Sequence, residues 1–458
     1  MNRSDSMSDY QQKKENAIMA FSQILTTRTP NTAIAIGGKK TSNLFRDRSQ
    51  GTVQKLNIAD FNTVFSIDPI NRVAEVGGMT TYEDFVKQTL SHGLMPTVVP
   101  ELKSITVGGA VTGVGIEATS FRYGFVHETI REMDILCGDG VVRTCSPTNE
   151  HSDLFYGFPN SYGTLGYALK LTVPLIPVKK YVRVRHKKFH DSQTFFAAIQ
   201  DVCNQARKAD GIADFIDGVA FDRGVYYLSV ASFVDHAPTV SDYTFMNIYY
   251  HSILKKIEDY LTAHDYIWRW DTDWFWCSRF FGVEHPIVRR ILGRKRLRST
   301  TYWKIRKFAT QYGLTALISR INGTRESVIQ DVEIPIEHAE EFINFFHNEI
   351  GIKPFWMCPT IPAKEKSFTL YTTKPGQLYI NFGFWDSVAS DKEEGYYNRL
   401  IENKVQELHG KKSLYSSSYY PESQFWQLYN KQDYEALKSK YDPQSMFKNL
   451  YQKCVKKG

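Results

Sequence analysis

The sequence predicts an α+β protein of two lobes, each with a hydrophobic core of its own. The chain has 458 residues, which is longer than one hydrophobic core usually supports. From Ala33 to Pro177, short β-rich runs alternate with glycine-rich turns, a pattern typical of an α+β domain. After Pro177 the pattern changes to longer amphipathic helices between pairs of strands. We therefore expect a second domain to begin there.

Turn residues and hydrophobic runs predict the elements of the first lobe. Thr80 and Glu83 form the pattern of a capping box, and Gly93 is suited to end the same helix. Asp139 and Gly140 separate two β-rich runs and predict a hairpin. The other strands of this lobe are predicted at 33–36, 63–68, 72–76, 97–99 and 168–173.

Apolar residues at helical spacing, from Phe195 to Ala206, predict the first helix of the second lobe. Further helices are predicted at 337–350 and 391–409, further strands at 218–221, 225–233, 367–371 and 378–385, and a helix end at Asp442.

Composition excludes some classes of protein and leaves the partner open. The net charge of +7 is compatible with an anionic cofactor, an acidic membrane surface or nucleic acid as partner. The high aromatic content of 14% suggests a planar or apolar ligand. The six cysteines are scattered, so we expect no metal site and no disulfide framework, as in a reducing compartment. No signal peptide or transmembrane helix is predicted, which favours a cytoplasmic protein with peripheral membrane attachment left open.

Three glycine-rich strings are candidate ligand loops. The first, 36–43, follows a strand and offers backbone N–H groups and two lysines to an anion, although taken alone a solvated turn is the better explanation, because it matches neither common phosphate-binding pattern. The second, 100–117, has four glycines among small and β-branched residues, which favours a buried ligand contact over a packing corner. The third, 160–166, is a weaker pattern because such turns are common without ligands.

The order of these strings and the residues in them resemble those of a known family of flavoenzymes. PELKSITVGGAVTGVGIEATSFRYG and SDLFYGFPNSYGTLG are similar to strings of the vanillyl-alcohol oxidase and p-cresol methylhydroxylase class, and within it to the delta(24)-sterol reductases. FHNEIGIKPFWMCP, LYINFG and LYSSSYYPESQFWQLY extend the resemblance, which covers the chain from about residue 20. It implies an FAD-binding domain at 20–178, an α+β cap domain at 179–412, and a C-terminal segment at 413–458 that returns to the FAD domain.

The resemblance also implies where FAD binds. The first string lacks the R-G-x-G-x-[SH] form and its histidine, so non-covalent FAD is expected. The implied FAD residues are Gly37, Gly38, Lys39, Lys40, Thr41, Ser42, Asn43, Pro100, Glu101, Thr106, Val107, Gly108, Gly109, Gly113, Glu117, Ser120, Tyr123, Gly124, Gly163, Thr164 and Gly166.

The chemistry that the resemblance implies is reduction of a carbon–carbon double bond in a lipophilic substrate, with NADPH as the electron donor. An isolated alkene needs a positioned acid, and the candidates are Tyr415, Tyr419 and Glu117, each with an equally simple structural role. One alternative is an FAD-dependent oxidase or dehydrogenase of an alcohol or lactone. A second is a non-catalytic lipid-binding or interaction protein on the same fold. The eukaryotic family members carry an N-terminal membrane anchor that we do not find here, which leaves localisation and substrate open.

The cap contains an aromatic run at 266–282 followed by many basic residues. The rings could line a tunnel for a sterol-sized or polyprenyl ligand, enter a bilayer interface, or form an ordinary core. The basic residues favour contact with anionic lipid, with nucleic acid as the less favoured partner and a solvated face as the simplest explanation. They are Arg289, Arg290, Arg294, Lys295, Arg296, Arg298, Lys304, Arg306 and Lys307.

Overall fold

The computed structural model describes residues 3–29, 32–37, 53–209, 211–312 and 324–455. Residues 38–43 of the first glycine-rich string lie outside this part of the chain, so the predicted FAD contacts of Gly38, Lys39, Lys40, Thr41, Ser42 and Asn43 stay predictions.

The first lobe contains a small parallel strand pair and a six-stranded antiparallel sheet. Its strands are β1 (Ala33–Gly37), β2 (Val53–Asn57), β3 (Val64–Asp68), β4 (Val73–Gly77), β5 (Leu94–Pro96), β6 (Glu132–Leu136), β7 (Val142–Cys145) and β8 (Tyr167–Pro177). β1 pairs with β2, and the larger sheet has the order β3-β4-β8-β6-β7 with β5 paired to β8.

Six helices accompany these strands. They are α1 (Arg3–Thr27), α2 (Tyr82–Leu90), α3 (Val107–Thr112), α4 (Ser120–Tyr123), α5 (Val126–Thr129) and α6 (Ser152–Gly157). The predicted 139–140 hairpin is confirmed, because β6 and β7 are antiparallel and Gly140 has a φ of 81°.

An eight-stranded antiparallel sheet forms the second lobe. Its strands are β9 (Tyr181–Phe189), β10 (Phe215–Asp222), β11 (Val225–Val234), β12 (Glu258–Thr262), β13 (Arg325–Pro335), β14 (Phe355–Thr360), β15 (Tyr379–Ala389) and β16 (Lys411–Lys412). They have the order β12-β9-β11-β10-β14-β15-β13-β16. Together with the first lobe, this gives the predicted α+β architecture.

Helices of the rest of the chain are mostly short. They are α7 (Ser192–Lys208), α8 (Tyr249–Ile253), α9 (Ala263–Ile267), α10 (Pro286–Leu292), α11 (Ser299–Gln311), α12 (Ile336–Phe345), α13 (Tyr396–Glu407), α14 (Glu422–Leu428), α15 (Lys431–Tyr441) and α16 (Leu450–Cys454). The predicted helix at 337–350 is confirmed as α12 and a π turn, Phe346–Ile350, that continues it.

One face of the eight-stranded sheet is apolar and is covered by helices. Phe342 of α12 packs against Phe382 with ring centroids 4.7 Å apart, and Phe346 packs against Phe384 at 4.6 Å. Helix α7 packs on α12 and β11. Because successive residues of a strand point to opposite faces, the neighbours of Phe382 and Phe384 face away from these helices, toward the first lobe.

The C-terminal helices pack on the first lobe. The Tyr441 hydroxyl donates to Asp153 of α6 at 2.6 Å, and the Gly138 N–H donates to the Tyr441 carbonyl at 2.7 Å. Helix α15 ends at Tyr441 with Asp442 as its C-cap, as predicted. These contacts support a C-terminal segment that returns to the first lobe, while the boundaries 20–178, 179–412 and 413–458 stay a prediction.

Some local predictions are wrong. The cap of α2 is Thr81, whose hydroxyl accepts the N–H of Asp84 at 3.2 Å, so the capping position lies one residue later than predicted. The strand predicted at 97–99 lies at 94–96 instead, because these residues pair with β8. The strand predicted at 367–371 is absent, because Phe368 and Tyr371 bridge each other across a tight turn.

Candidate functional site

The second glycine-rich string folds into a helix, α3, where the sequence predicted a turn. Thr106 caps it, and the Thr106 hydroxyl accepts the N–H of Gly109 at 3.2 Å. The N–H of Gly108 donates to the carbonyl of Gly78 at 2.9 Å, and a Cβ on residue 108 would come within 2.8 Å of that oxygen. This close approach of helix to sheet therefore requires glycine at position 108.

The third glycine-rich string packs against the end of α3. The Tyr162 hydroxyl donates to the Gly113 carbonyl at 3.2 Å. Asn160 and Tyr162 have φ angles of 61° and 50°, and Gly163 follows at 75°. Positive φ is rare for residues with a side chain, and such costly backbone is concentrated at ligand sites. The fold thus brings two of the three predicted strings together.

Buried polar atoms without a hydrogen-bond partner are concentrated in and beside these two strings. Each such atom costs about 1–3 kcal/mol, so a group of them indicates a polar ligand. Among the described residues, the group comprises side-chain oxygens of Thr97, Glu101, Glu117, Thr119, Asn160 and Ser161.

Other predicted ligand residues line the same region. Ser120 accepts the Glu117 N–H on its hydroxyl at 3.1 Å, which fixes the backbone of the string. Pro100 lies against Gly115, since a Cβ on residue 115 would come 3.1 Å from the proline ring. Gly124 follows Tyr123 at the end of α4, with a φ of 72°.

Arg269 joins the second string to the eight-stranded sheet. Its Nη2 lies 2.8 Å from Glu117 Oε1 and 2.8 Å from Asp217 Oδ2, and all three side chains are buried. Trp356 Nε1 donates to the same Asp217 oxygen at 3.2 Å. Because Asp217 lies in β10, this guanidinium group holds the string against the sheet.

Glu101 belongs to the same cluster, so three carboxyl groups share one guanidinium group. Burial raises the pKa of Glu101 well above its usual value, and the nearby Glu117 raises it further. Burial also raises the pKa of Glu117, although Arg269 opposes the rise. One cation does not balance three buried carboxylates, and we therefore assign a proton to Glu101.

The sheet face that points toward the first lobe carries polar and aromatic side chains, and we call it the polar face. The register of β10, β13, β14 and β15 puts them on one side. Cys358 Sγ of this face lies 3.2 Å from the carbonyl oxygen of Glu117, so the polar face covers the second string. Its residues include Asp217, Asp331, Glu333, Trp356, Cys358, Asn381, Gly383 and Trp385.

Tyr415 contacts the polar face through its hydroxyl group. The oxygen accepts the Nε1 proton of Trp385 at 3.0 Å, and the hydroxyl donates to the carboxylate of Asp331. Burial raises the pKa of Tyr415 well above its usual value, and Asp331 adds to the rise. Burial raises the pKa of Asp331 to about 7, against the opposing hydrogen bond from Tyr415. A carboxyl group that titrates near neutrality and contacts a phenol can exchange a proton with it.

The Tyr415 hydroxyl is within electrostatic range of the third glycine-rich string. The phenol of Tyr162 is one of the groups that raise the pKa of Tyr415, and Tyr162 is itself bonded to Gly113. Glu333 lies two residues after Asp331 on the same face, where Thr360 donates to it at 2.6 Å. Burial raises the pKa of Glu333 to about 8, which favours the neutral form of this second carboxyl group.

Tyr419 has different surroundings from Tyr415. Its N–H donates to Glu402 at 3.1 Å, and its ring lies 5.9 Å from the guanidinium group of Arg399. Glu402 is in turn paired with the buried Lys412 at 2.6 Å. Of these two tyrosines, Tyr415 is thus the one that contacts a carboxyl group of the polar face, Asp331.

The aromatic run at 266–282 is largely a core. Trp270 stacks on Phe275 at 4.9 Å, and Phe275 stacks on Trp385 of the polar face at 4.2 Å. Most rings of the run are buried, and Phe280 is exposed. The run therefore forms the wall behind Trp385, and most of it is not available to a bilayer.

Sequence reasoning missed Arg269, Asp217, Asp331 and Trp385. Arg269 lies within the aromatic run, and the only sequence signal for it was a charged residue among large aromatic residues. Asp331 and Trp385 are separated in sequence by strands and a helix, and only the pairing of β13 with β15 brings them to one face.

A family model described as an FAD binding domain matches residues 22–146. The chain is an FAD-dependent oxidoreductase with an FAD-binding domain of the p-cresol methylhydroxylase type. The two glycine-rich strings fit such a cofactor, because they combine close backbone approach, costly φ angles and buried polar atoms without partners.

Named relatives extend the likeness beyond the FAD domain. The chain is 25% identical to the delta(24)-sterol reductase of Homo sapiens over 416 residues, covering 88% of this chain and 77% of the human protein. It is 24% identical to a delta(24)-sterol reductase homologue of Caenorhabditis elegans over 395 residues, 81% of this chain and 73% of that one. Cytokinin dehydrogenase 7 of Oryza sativa is 31% identical over 144 residues, 31% of this chain and 27% of that one.

None of the helices in the described ranges has both the length and the apolar character needed to cross a bilayer.

Proposed function

We propose that this protein uses FAD to reduce a carbon–carbon double bond of a lipophilic, sterol- or isoprenoid-like substrate, with NADPH as electron donor. The likeness to delta(24)-sterol reductases over most of both chains supports the reaction class. The observation that carries the proposal is the Tyr415 hydroxyl, bonded to Trp385 and Asp331 beside the glycine-rich strings. A double bond without polar substituents needs such an acid.

FAD, when bound, supplies hydride transfer between NADPH and the substrate carbon. The residues proposed to hold it are those of the second and third strings, together with the first string. Thr106 to Gly109 present the start of α3, Gly163 to Gly166 present the turn that follows Tyr162, and Gly37 ends β1 at the first string. The Tyr167 hydroxyl donates to the carbonyl of Ile34 at 3.4 Å, which links β1 to the end of the third string.

Tyr415 is the proposed proton donor. Its proton passes to the second carbon of the double bond, and the phenolate oxygen that remains keeps the hydrogen bond from Trp385 Nε1. Asp331, in its neutral form, returns a proton to that oxygen and is reprotonated from solvent. A pKa of about 7 for Asp331 leaves a substantial protonated fraction at neutral pH, so the relay can work there.

Glu117 and Tyr419 remain alternative donors. Glu117 already bonds Arg269 and has a raised pKa, which favours a role in holding the second string. Tyr419 is bonded to Glu402, which favours a role in packing the C-terminal segment.

An FAD-dependent oxidase or dehydrogenase is the second candidate function. The similarity to a cytokinin dehydrogenase supports it, but covers only 31% of this chain. Anaerobic mixing of the FAD-loaded protein with NADPH separates the two, because the reductase loses the absorbance of oxidised flavin within the assay. Retention of that absorbance, with bleaching by an alcohol or lactone instead, would favour the oxidase or dehydrogenase. A purified protein that takes up no FAD would favour a non-catalytic lipid-binding role.

We also propose that the protein works in a reducing compartment at a membrane surface, since its six buried cysteines form no disulfide with one another and the proposed substrate is lipophilic. Lipid extraction and mass spectrometry of the FAD-loaded protein test the substrate class. A copurified sterol or isoprenoid is the expected result, and a polar metabolite in its place would contradict it.

A further inference from the structure

The helical segment formed by residues 285–312 is strongly basic. The segment contains nine lysines and arginines and no aspartate or glutamate. The whole chain has a net charge of +7, so the remainder of the protein is net negative. An anionic partner is therefore attracted to this segment.

Not every cation of the segment reaches the surface. Arg289 is buried and paired with Asp273 at 2.5 Å, which corrects the sequence-based inclusion of Arg289 in a lipid-facing set. Arg298 pairs with Glu83 at 2.6 Å, and Arg294 pairs with Asp242 at 2.8 Å. The exposed cations that form no ion pair with another described residue are Arg290, Lys295, Arg296, Lys304 and Lys307.

Large apolar side chains are exposed among these cations. In α10, Ile291 is 73% exposed and Ile287, one turn earlier, is exposed as well. In the segment of α11, Phe308 is 57% exposed and Tyr312 is 64% exposed, with their rings 4.4 Å apart. Both helices therefore present apolar groups and cations together to solvent.

The exposed residues of α11 form one face. Residues three and four positions apart lie on the same side of a helix, and Lys304, Lys307, Phe308 and Tyr312 follow this spacing. The opposite side is anchored, because the Tyr302 hydroxyl donates to the Thr272 carbonyl at 2.7 Å. The apolar and basic face is thus held outward by contacts on the other side.

The same segment is connected to the candidate site. Ser299, at the start of α11, donates to Asp271 at 2.6 Å, and Asp271 accepts the N–H of Lys103 at 3.0 Å. Lys103 lies in the second glycine-rich string, and Arg269 of the Glu117 cluster is two residues from Asp271. The helix that carries the outward face is therefore attached to the wall of the site.

We infer that the outward face of α10 and α11, formed by Ile287, Arg290, Ile291, Lys304, Lys307, Phe308 and Tyr312, docks on a bilayer that contains anionic lipid. An interfacial helix combines apolar side chains that enter the acyl boundary with cations that meet the headgroups, and this face has both. Nucleic acid would use the cations and leave the isoleucines in water. The reason for docking rests on the proposed function, because a lipophilic substrate is dissolved in membranes.

The test uses the full-length, FAD-loaded protein and vesicle co-sedimentation. Vesicles of phosphatidylcholine alone are compared with vesicles that also contain phosphatidylserine. We expect binding to the anionic vesicles, weakened by salt, and a loss of roughly fivefold for each lysine removed in K304Q and K307Q. Phe308→Asp should weaken binding at least as much, because it replaces the apolar anchor by a repelled charge.

Matched variants elsewhere on the surface serve as controls. Ile70, 91% exposed in the turn before β4, is replaced in Ile70→Asp, and Lys179, which pairs with Asp235, is replaced in Lys179→Gln. Neither should change vesicle binding by more than a small factor. Flavin reduction by NADPH is measured in every variant, so that a failure of the proposed function is seen separately from a failure of docking.

Three results would overturn the inference. The first is no binding to anionic vesicles at low salt. The second is binding that Phe308→Asp and K304Q/K307Q leave unchanged. The third is binding of the face to a duplex oligonucleotide or to a second copy of the chain in place of vesicles, detected by titration and by the oligomeric state of the Phe308→Asp variant.

Discussion

Arg269 Nη2 lies 2.8 Å from Glu117 Oε1 in a fully buried pair that spans the two lobes. Glu117 belongs to a glycine-rich string of the FAD domain, and Arg269 follows α9 at the eight-stranded sheet. Their pairing makes the position of the string depend on the second lobe. The first prediction follows from removing this cation.

Arg269→Met should destabilise the protein by about 3–5 kcal/mol, because it leaves buried carboxylates without a counter-ion. It should also weaken FAD binding, since the string loses its anchor. Denaturant unfolding and FAD titration measure the two effects. Arg289→Met is the matched control, because Arg289 is equally buried but pairs with Asp273, and it should cost stability without lowering the FAD affinity of the folded protein. Equal losses of FAD affinity in the two variants would contradict the anchoring role of Arg269.

Gly108→Ala should weaken FAD binding and lower the free energy of unfolding by about 1–3 kcal/mol. The added methyl group would come 2.8 Å from the carbonyl oxygen of Gly78, which is backbone and cannot rotate away. Gly218→Ala is a useful comparison, because its methyl group would come 2.8 Å from the Phe195 ring and 3.1 Å from the Tyr227 carbonyl oxygen, so it should cost stability without lowering FAD affinity. FAD titration of both folded variants checks the prediction, and an unchanged affinity in Gly108→Ala would contradict it.

Tyr415→Phe should lower the turnover of the alkene by on the order of 10²-fold or more, because the proton donor is lost. Reduction of the flavin by NADPH does not use that proton and should keep its rate. Stopped-flow measurement of the two half-reactions separates them. Tyr419→Phe, which keeps the backbone bond to Glu402, should turn over close to the wild-type rate. A reversed result would assign the proton to Tyr419.

Asp331→Asn should change the pH dependence of turnover. The pKa of Asp331 is raised to about 7, so in the wild type the rate should fall as pH rises through 7, reaching about a tenth near pH 8 as the carboxyl group loses its proton. The Asp331→Asn variant should have a lower turnover rate, and that rate should not fall as pH rises through 7. Steady-state rates from pH 5 to 9, with Glu333→Gln as the comparison, check it.

The free energy of unfolding should also depend on the protonation of Asp331, and the direction of its change with pH can be predicted. The folded-state pKa of Asp331 lies above its ordinary value of 3.8, so between about pH 4 and 7 the folded protein holds a proton that the unfolded chain has lost. The free energy of unfolding therefore falls over this window, and Asp331→Asn should remove that part of the fall. Denaturant unfolding at pH 5 and pH 8 measures it, and an identical pH dependence in both proteins would contradict the raised pKa.

Much of the first lobe was predictable because its signals are local. A hairpin at Asp139 and Gly140 needs only turn residues between two apolar runs. The same holds in the second lobe for α7, which needs only apolar residues at helical spacing. The same locality misled the prediction at 367–371, where strand-like residues have no partner strand within reach and form a tight turn instead.

By itself, the sequence determined the class of the protein, since long glycine-rich strings are specific wherever the backbone must approach a cofactor closely. Tertiary structure decided which side chains meet. Tyr415, Trp385 and Asp331 come from three separate segments, and Arg269 is 152 residues from Glu117. No local pattern marks such partners, because strand register brings Asp331 and Trp385 to one face, and Arg269 meets Glu117 only when the two lobes pack together.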